Sequence, residues 1–248
     1  MIRSILLTLI FTFCLCVEAQ GKRPVQIVFI GNSITQGARL ANPELEGPAP
    51  QTRDILKERG FDVSILNCGL SGTTTVDWLP DGISRCFGPL IETTDKFFRP
   101  EAQHLFSVML GTNDSAETTC NGAPVSPERY VRNVSLIVDT LLSRYPDSQI
   151  ILNYPIWYSP STYNGARYLQ SGLNRLKSYH PMITLMVANG SERLHAGIPE
   201  AYNSFENHPE LFDEESGNAG KFYLHPNRKG AHLLATFWAD AIETVLHL

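Results

Sequence analysis

Basic charge is in short supply in this chain. Its 20 lysines and arginines are outnumbered by 25 aspartates and glutamates, for a formal net charge of -5 with no block of like sign. Phosphate binding normally leaves a basic footprint, so nucleic acid is not an expected partner. Cysteine is also scarce, five in all. None forms a Cys-x-x-Cys pair or sits in a His-rich tract, so the spacing of a zinc or redox site is missing. No metal and no cofactor are expected. Repeats, low-complexity tracts and linkers are lacking too, which points to one folded domain.

Only one long apolar run occurs, and it lies at the start. "MIRSILLTLIFTFCLCVEAQ" places Arg3 ahead of an apolar stretch from Ile5 to Val17 and ends in Val17-Glu18-Ala19, a small-residue pattern suited to signal peptidase. The stretch is short of the roughly 20 apolar residues that a membrane span needs. No stable membrane insertion is expected, and neither Cys14 nor Cys16 follows the small residue of a lipoprotein site. The expected division is a signal peptide over 1–19 and a single domain over 20–248, secreted or periplasmic. Export would put Cys68, Cys86 and Cys120 in an oxidising compartment. The loop-like contexts "SRCFG" and "TTCNG" make Cys86 and Cys120 the expected pair, with Cys68 a buried thiol after "VSIL".

What is present is a strand-helix alternation. "VQIVFI" (25–30), "VSILN" (63–67), "LFSVML" (105–110), "QIILNY" (149–154) and "ITLMV" (183–187) read as strands without in-out alternation, the mark of a parallel sheet covered on both faces. Helices are expected over 49–60, 126–146, 161–180 and 227–247; the second opens on Ser126-Pro127-Glu128, a serine cap with proline behind it. This pattern predicts an α/β fold, a three-layer α/β/α sandwich on a five-stranded parallel sheet. Open sheets of this kind bind ligands outside their C-terminal strand ends.

The residues at those ends carry the chemistry. Ser33 follows the first strand abruptly, in Gly31-Asn32-Ser33. A hydroxyl becomes a nucleophile when a base takes its proton and donors receive the oxyanion. His225 is the base candidate, held ahead of Pro226-Asn227, where Asn227 is placed to cap the last helix. "NCGLSGTTT" offers backbone amides beside bare glycines, and "GTNDS" offers the Asn113 side-chain amide. His104, His180, His195, His208 and His232 have no partner motif and read as structural.

Taken in order, "GNSIT", "NCGLSG", "GTND" and "HPN" resemble the four blocks of the GDSL or SGNH hydrolases, from Val25 to the last helix. The resemblance implies a flavodoxin-like fold, Ser33 as nucleophile and His225 as base. It also implies an oxyanion hole made by the backbone amides of Ser33 and Gly72 and the side chain of Asn113. Two positions depart from the pattern. Asn32 stands where the family has aspartate, and Phe222 stands where the family places an aspartate three residues before the histidine. The open readings are a dyad with His225 oriented by a backbone carbonyl, or a substitute acid from "LFDEESGNAGK", where Asp213 and Glu215 are the candidates beside Glu214.

Exported members of the family resemble carbohydrate O-acetylesterases acting on sialic acids or plant polysaccharides. The expected substrate is an acetylated glycan or other small ester, with Trp78, Trp157, Tyr158 and Tyr163 as aromatic platforms or, equally, as loop packing. Two alternatives stand beside it. One is a lysophospholipase or platelet-activating-factor-acetylhydrolase-like lipid esterase; the other is a catalytically dead exported sugar-binding module, which only Phe222 favours.

Overall fold

β1, Val25–Gly31, is buried along its whole length and is an inner strand of the sheet. The computed structural model describes residues 23–81 and 83–247, so the expected signal peptide over 1–19 lies outside the described residues. β1 is flanked by β2 (Val63–Asn67) and β3 (Gln103–Met109), and the sheet continues through β4 (Ser148–Leu152) to β5 (Leu194–Ala196). The order is β2-β1-β3-β4-β5, and every pairing is parallel.

Alternate β1 side chains enter different cores, as the two-residue period of a strand requires. Ile27 and Phe29 face a cluster with Leu56, Leu234 and Trp238, whereas Val28 and Ile30 face one with Leu90, Val134, Ile137 and Leu141. The helices are α1 (Ser33–Gln36), α2 (Pro43–Glu46), α3 (Pro48–Glu58), α4 (Phe87–Phe97), α5 (Pro127–Arg144), α6 (Gln170–Ala188), α7 (Glu200–Phe205) and α8 (Arg228–Leu246). α3 and α8 therefore cover one face of the sheet, and α4 and α5 the other. The expected α/β/α sandwich is the fold observed. A small antiparallel hairpin, β6 (Glu215–Gly217) and β7 (Gly220–Phe222), precedes α8. Its two loop residues, Asn218 (φ 38) and Ala219 (φ 66), both take the left-handed conformation of a type I′ turn.

Three expectations need correction. "ITLMV" (183–187) is not the fifth strand but the end of α6, which runs through Pro181. Its buried positions, Leu173, Leu176, Tyr179 and Ile183, follow a helical period that the five-residue run hides when read alone. The true fifth strand, Leu194–Ala196, is too short to leave an apolar run. The expected Cys86–Cys120 disulfide is not formed. All three described thiols are free, and Cys86 and Cys120 are buried in the two different core clusters. Finally, the helix expected over 161–180 is Gln170–Ala188. Of the aromatics that read equally as platforms or packing, Trp78, Trp157 and Tyr158 are buried and Tyr163 is exposed.

A buried carboxyl ties the loops after β2 and β3 together. Asp114 Oδ1 accepts from the Thr75 backbone N–H (2.9 Å) and from the Thr75 hydroxyl, to which Asn133 Nδ2 donates at 2.8 Å. Its other oxygen, Oδ2, is sealed from solvent without a partner. Burial raises the Asp114 carboxyl from 3.8 to about 6, with the Thr75 bonds opposing that rise. Because the native pKa exceeds the unfolded one, the native chain keeps this proton between pH 4 and 6 while the unfolded chain releases it. The contribution is full below pH 4 and disappears as pH rises through 6. A rise of this size is worth roughly 3 kcal/mol. Asp114→Asn should remove this slope, so urea unfolding at pH 4 and pH 7 should show a smaller fall in stability for the variant than for wild type; equal falls would contradict the assignment.

Candidate active site

The C-terminal ends of the strands gather the site. Ser33 follows β1 at the first position of α1, where the Asn32 side chain caps the helix by accepting from Ile34 N–H at 3.0 Å. That bond uses only the Asn32 oxygen; Nδ2 is buried without a partner. The position requires an acceptor, which an asparagine supplies as well as an aspartate, so the departure from the usual block is accommodated. His225 is fixed from the other side. Asn227 caps α8 by accepting from Gly230 N–H at 3.1 Å, and its amide donates to the carbonyls of Glu210 and Phe212.

Ser33 Oγ and His225 Nε2 are 2.9 Å apart. On the far side of the ring, His225 Nδ1 lies 2.8 Å from Glu215 Oε1, and the His225 backbone N–H donates to the same oxygen at 3.2 Å. The imidazole is thus gripped at both ring and main chain, and the tautomer with hydrogen on Nδ1 leaves Nε2 free to accept from the serine. Glu215 stands directly opposite Phe222 in the hairpin. Opposite residues of an antiparallel pair present their side chains on one face, with Cβ atoms about 5 Å apart. The carboxylate missing at position 222 is therefore supplied from the neighbouring strand.

The two sequence candidates for the acid are separated by this geometry. Asp213 lies 3.7 Å from Arg39 Nε and meets His225 only through the main chain, its N–H donating to the His225 carbonyl at 2.8 Å. Arg39 also approaches the second oxygen of Glu215, at 3.9 Å. Glu214 turns to Lys221, 2.7 Å away.

The candidate oxyanion donors, Gly72 and Asn113, lie in the loops after β2 and β3. After β2, successive amides are spoken for: Gly69 by Asn67 Oδ1, Leu70 by the Gly31 carbonyl and Ser71 by Gln36 Oε1. Beyond Gly72, Thr73 bonds the Leu70 carbonyl, Thr74 bonds Asp77 and Thr75 bonds Asp114. Gly72 N–H has no acceptor among the described residues, and neither does Ser33 N–H. Gly72 takes φ 77, and a Cβ there would meet nothing within 4 Å, so its surroundings are open. Asn113 is aimed by two bonds: Nδ2 donates to the Thr73 carbonyl at 2.8 Å, and Oδ1 accepts from the Tyr168 hydroxyl at 2.6 Å. Tyr168 carried no motif in the sequence; its part comes from a loop after β4 that only folding brings to Asn113.

The remaining histidines have local partners, as expected. His180 bonds the Pro155 carbonyl, His195 bonds Gln149, His208 bonds Glu210, His232 bonds Gln51, and His104 stacks on Phe98. A cavity of about 390 Å³ adjoins His225 and Glu215 and is lined by Tyr163, Asn164, Arg167 and Asn218. Of the larger cavities, those of about 680 Å³ at the N-terminal strand edge and about 460 Å³ between α5 and α6 contain none of these residues, and one of about 500 Å³ over the β6–β7 hairpin shares only Asn218.

A hydroxyl, an imidazole and a carboxylate in this line can carry a proton from oxygen to nitrogen with the resulting charge stabilised. Residues 29–233 match the model of the GDSL-like lipase/acylhydrolase family. No curated protein matches the sequence. Among solved structures, a carbohydrate acetylesterase from Sinorhizobium meliloti is similar at 16% identity and TM-score 0.62, over 89% of this chain and 99% of its own. A lipase/acylhydrolase from Enterococcus faecalis is similar at 18% identity and TM-score 0.61, over 89% and 96%. A carbohydrate esterase family 3 protein from Talaromyces cellulolyticus is similar at 14% identity and TM-score 0.62, over 90% and 98%. These likenesses are of fold. The family match covers most of the chain, and the chain belongs to the GDSL-like lipase/acylhydrolase family and is a carboxylic ester hydrolase.

Proposed function

We propose that the protein removes acetyl groups from carbohydrates through an acyl-serine intermediate. Ser33 Oγ attacks the ester carbonyl carbon while His225 Nε2 takes the hydroxyl proton. The carbonyl oxygen becomes an oxyanion and accepts from Ser33 N–H, Gly72 N–H and Asn113 Nδ2–H. Collapse breaks the bond to the sugar oxygen, which leaves with the proton from His225. Water then attacks the acetyl-serine, giving its proton to His225, and acetate departs as the bond to Ser33 Oγ breaks and Oγ takes that proton back from His225. Glu215 holds the imidazole by Nδ1 and stabilises the imidazolium in both halves.

The observation that carries the assignment of the acid is the 2.8 Å contact between His225 Nδ1 and Glu215. Support for a sugar comes from the cavity beside this pair. It is open and mixes polar with apolar lining, and Tyr163, 43% exposed, contributes the one uncovered aromatic ring of those expected near the site. That ring rests on Gly220, where a Cβ would collide with its carbons. Its other face is available to the apolar C–H face of a pyranose. A lipid-esterase reading has one observation in its favour, an apolar cavity of about 300 Å³ beyond Gly69 and Leu70, lined by Trp78, Pro89 and Leu90. An exported location accords with the leader sequence, and no described helix is long and apolar enough to cross a membrane.

Two experiments test this reading. Ser33→Ala should lower kcat on an acetyl ester by about 10⁵- to 10⁶-fold, Glu215→Gln by about 10²- to 10⁴-fold, and Asp213→Asn by less than about threefold. A loss in the Asp213 variant equal to that of Glu215→Gln would overturn the choice of acid. In a p-nitrophenyl ester series, kcat/KM should be highest for acetate and fall with each added methylene pair. A rise toward long chains would transfer the function to lipid esters.

A further inference from the structure

Arginines that are partly withdrawn from water in this fold are answered by carboxylates or backbone carbonyls, with one exception. Arg53 bonds Asp54, Arg59 bonds Asp240 and Glu243, Arg175 bonds the Ser115 carbonyl and Glu117, and Arg193 bonds the carbonyls of Leu142, Tyr145 and Ser148. Arg167, half-buried like them, has no carboxylate within 4.0 Å among the described residues. Its Nε is sealed from solvent and has no hydrogen-bond partner. An unanswered donor on a cation that is partly desolvated is costly, because neither water nor protein replaces the lost hydration.

The surroundings do not neutralise it. The Cys120 thiol and the Tyr168 phenol both feel the Arg167 charge. Burial pushes each of them up, so neither supplies an anion near neutral pH. The Tyr168 hydroxyl already donates to Asn113. Glu215 lines the same cavity, but one of its oxygens holds His225 and the other faces Arg39. Arg167 therefore lines the cavity beside His225 with its charge met by no carboxylate among the described residues. Tyr163 offers a ring platform in the same cavity.

We infer that Arg167 is a specificity residue for a carboxylate on the sugar, so that the preferred substrate class is the acetyl ester of an acidic sugar. The inference rests on the acetylesterase reading of the same site. A guanidinium fork matches a carboxylate in geometry and charge, and charge-assisted pairs of this kind are stronger than neutral ones. With the acidic sugar bound, the guanidinium gains a carboxylate partner on the cavity side, where the Tyr163 ring also lies.

The test compares two acetylated methyl glycosides that differ only at C6, one a hexuronate and one the neutral hexose. For wild type, kcat/KM should favour the hexuronate by about 10- to 100-fold, and the ratio should fall to near one in Arg167→Gln. Arg167→Lys, which retains charge without the fork, should give an intermediate ratio. A wild-type ratio near one, or a ratio unchanged in Arg167→Gln, would overturn the inference while leaving the esterase reading intact. A second readout is calorimetric titration of the unacetylated methyl hexuronate into Ser33→Ala protein, with and without Arg167→Gln. Binding that requires Arg167 supports the anion site even if no acetyl ester is turned over, an outcome that would instead remove the esterase reading. Binding equal in the two proteins overturns the anion site.

Discussion

An imidazole free to rotate is a poor base, and one with no counter-charge resists accepting a proton from a serine. The contact between Glu215 and His225 removes both obstacles, and the arrangement of the whole site follows from it. The same carboxylate oxygen receives the ring N–H and the peptide N–H of His225. The ring is therefore fixed relative to its own backbone, which Asn227 anchors to the start of α8. The unusual part is where the acid comes from. A two-residue turn folds β6 against β7, so Glu215 faces Phe222 and supplies across the hairpin what Phe222 cannot supply along the chain.

On the other side of the serine the logic is one of exclusion. The loop after β2 commits six amides to acceptors and leaves that of Gly72 free beside open space. Such selectivity depends on the acceptors being rigid. Asp114 and Asp77 supply two of them, and Asp77 is itself held by Arg85 and Asn121. In the acyl transfer proposed above, donors fixed before the substrate arrives would need no reorganisation as the oxyanion develops. Stability is spent here. Asp114 keeps one buried oxygen unpartnered, and Asn32 keeps one buried amide unpartnered, within one residue of Asn113 and Ser33 respectively.

Much of this was legible in the sequence because strand ends in a parallel sheet are positions of chemistry and leave local signatures. Ser33, Gly72, Asn113 and His225 each sit in a short run of turn residues that follows a strand or precedes a helix, and four of the five strands announced themselves as apolar runs. The parts that could not be read depend on pairing between distant segments. β5 is three residues long and was overshadowed by the apolar end of α6. Asp213 and Glu215 are equivalent on paper, and only the register of the hairpin separates them. Tyr168 reaches Asn113 across 55 positions of chain. Trp78, Trp157 and Tyr158 read equally as sugar platforms or packing, and burial decides for packing.

The central claim is that positions 215 and 222 are interchangeable sources of one carboxylate. The most direct measurement is the turnover of Glu215→Gln/Phe222→Asp against that of Glu215→Gln alone, on the same acetyl ester. Returning the acid to position 222 should recover at least about tenfold of the activity that Glu215→Gln loses. A double variant that melts as cooperatively as wild type yet recovers nothing would contradict it.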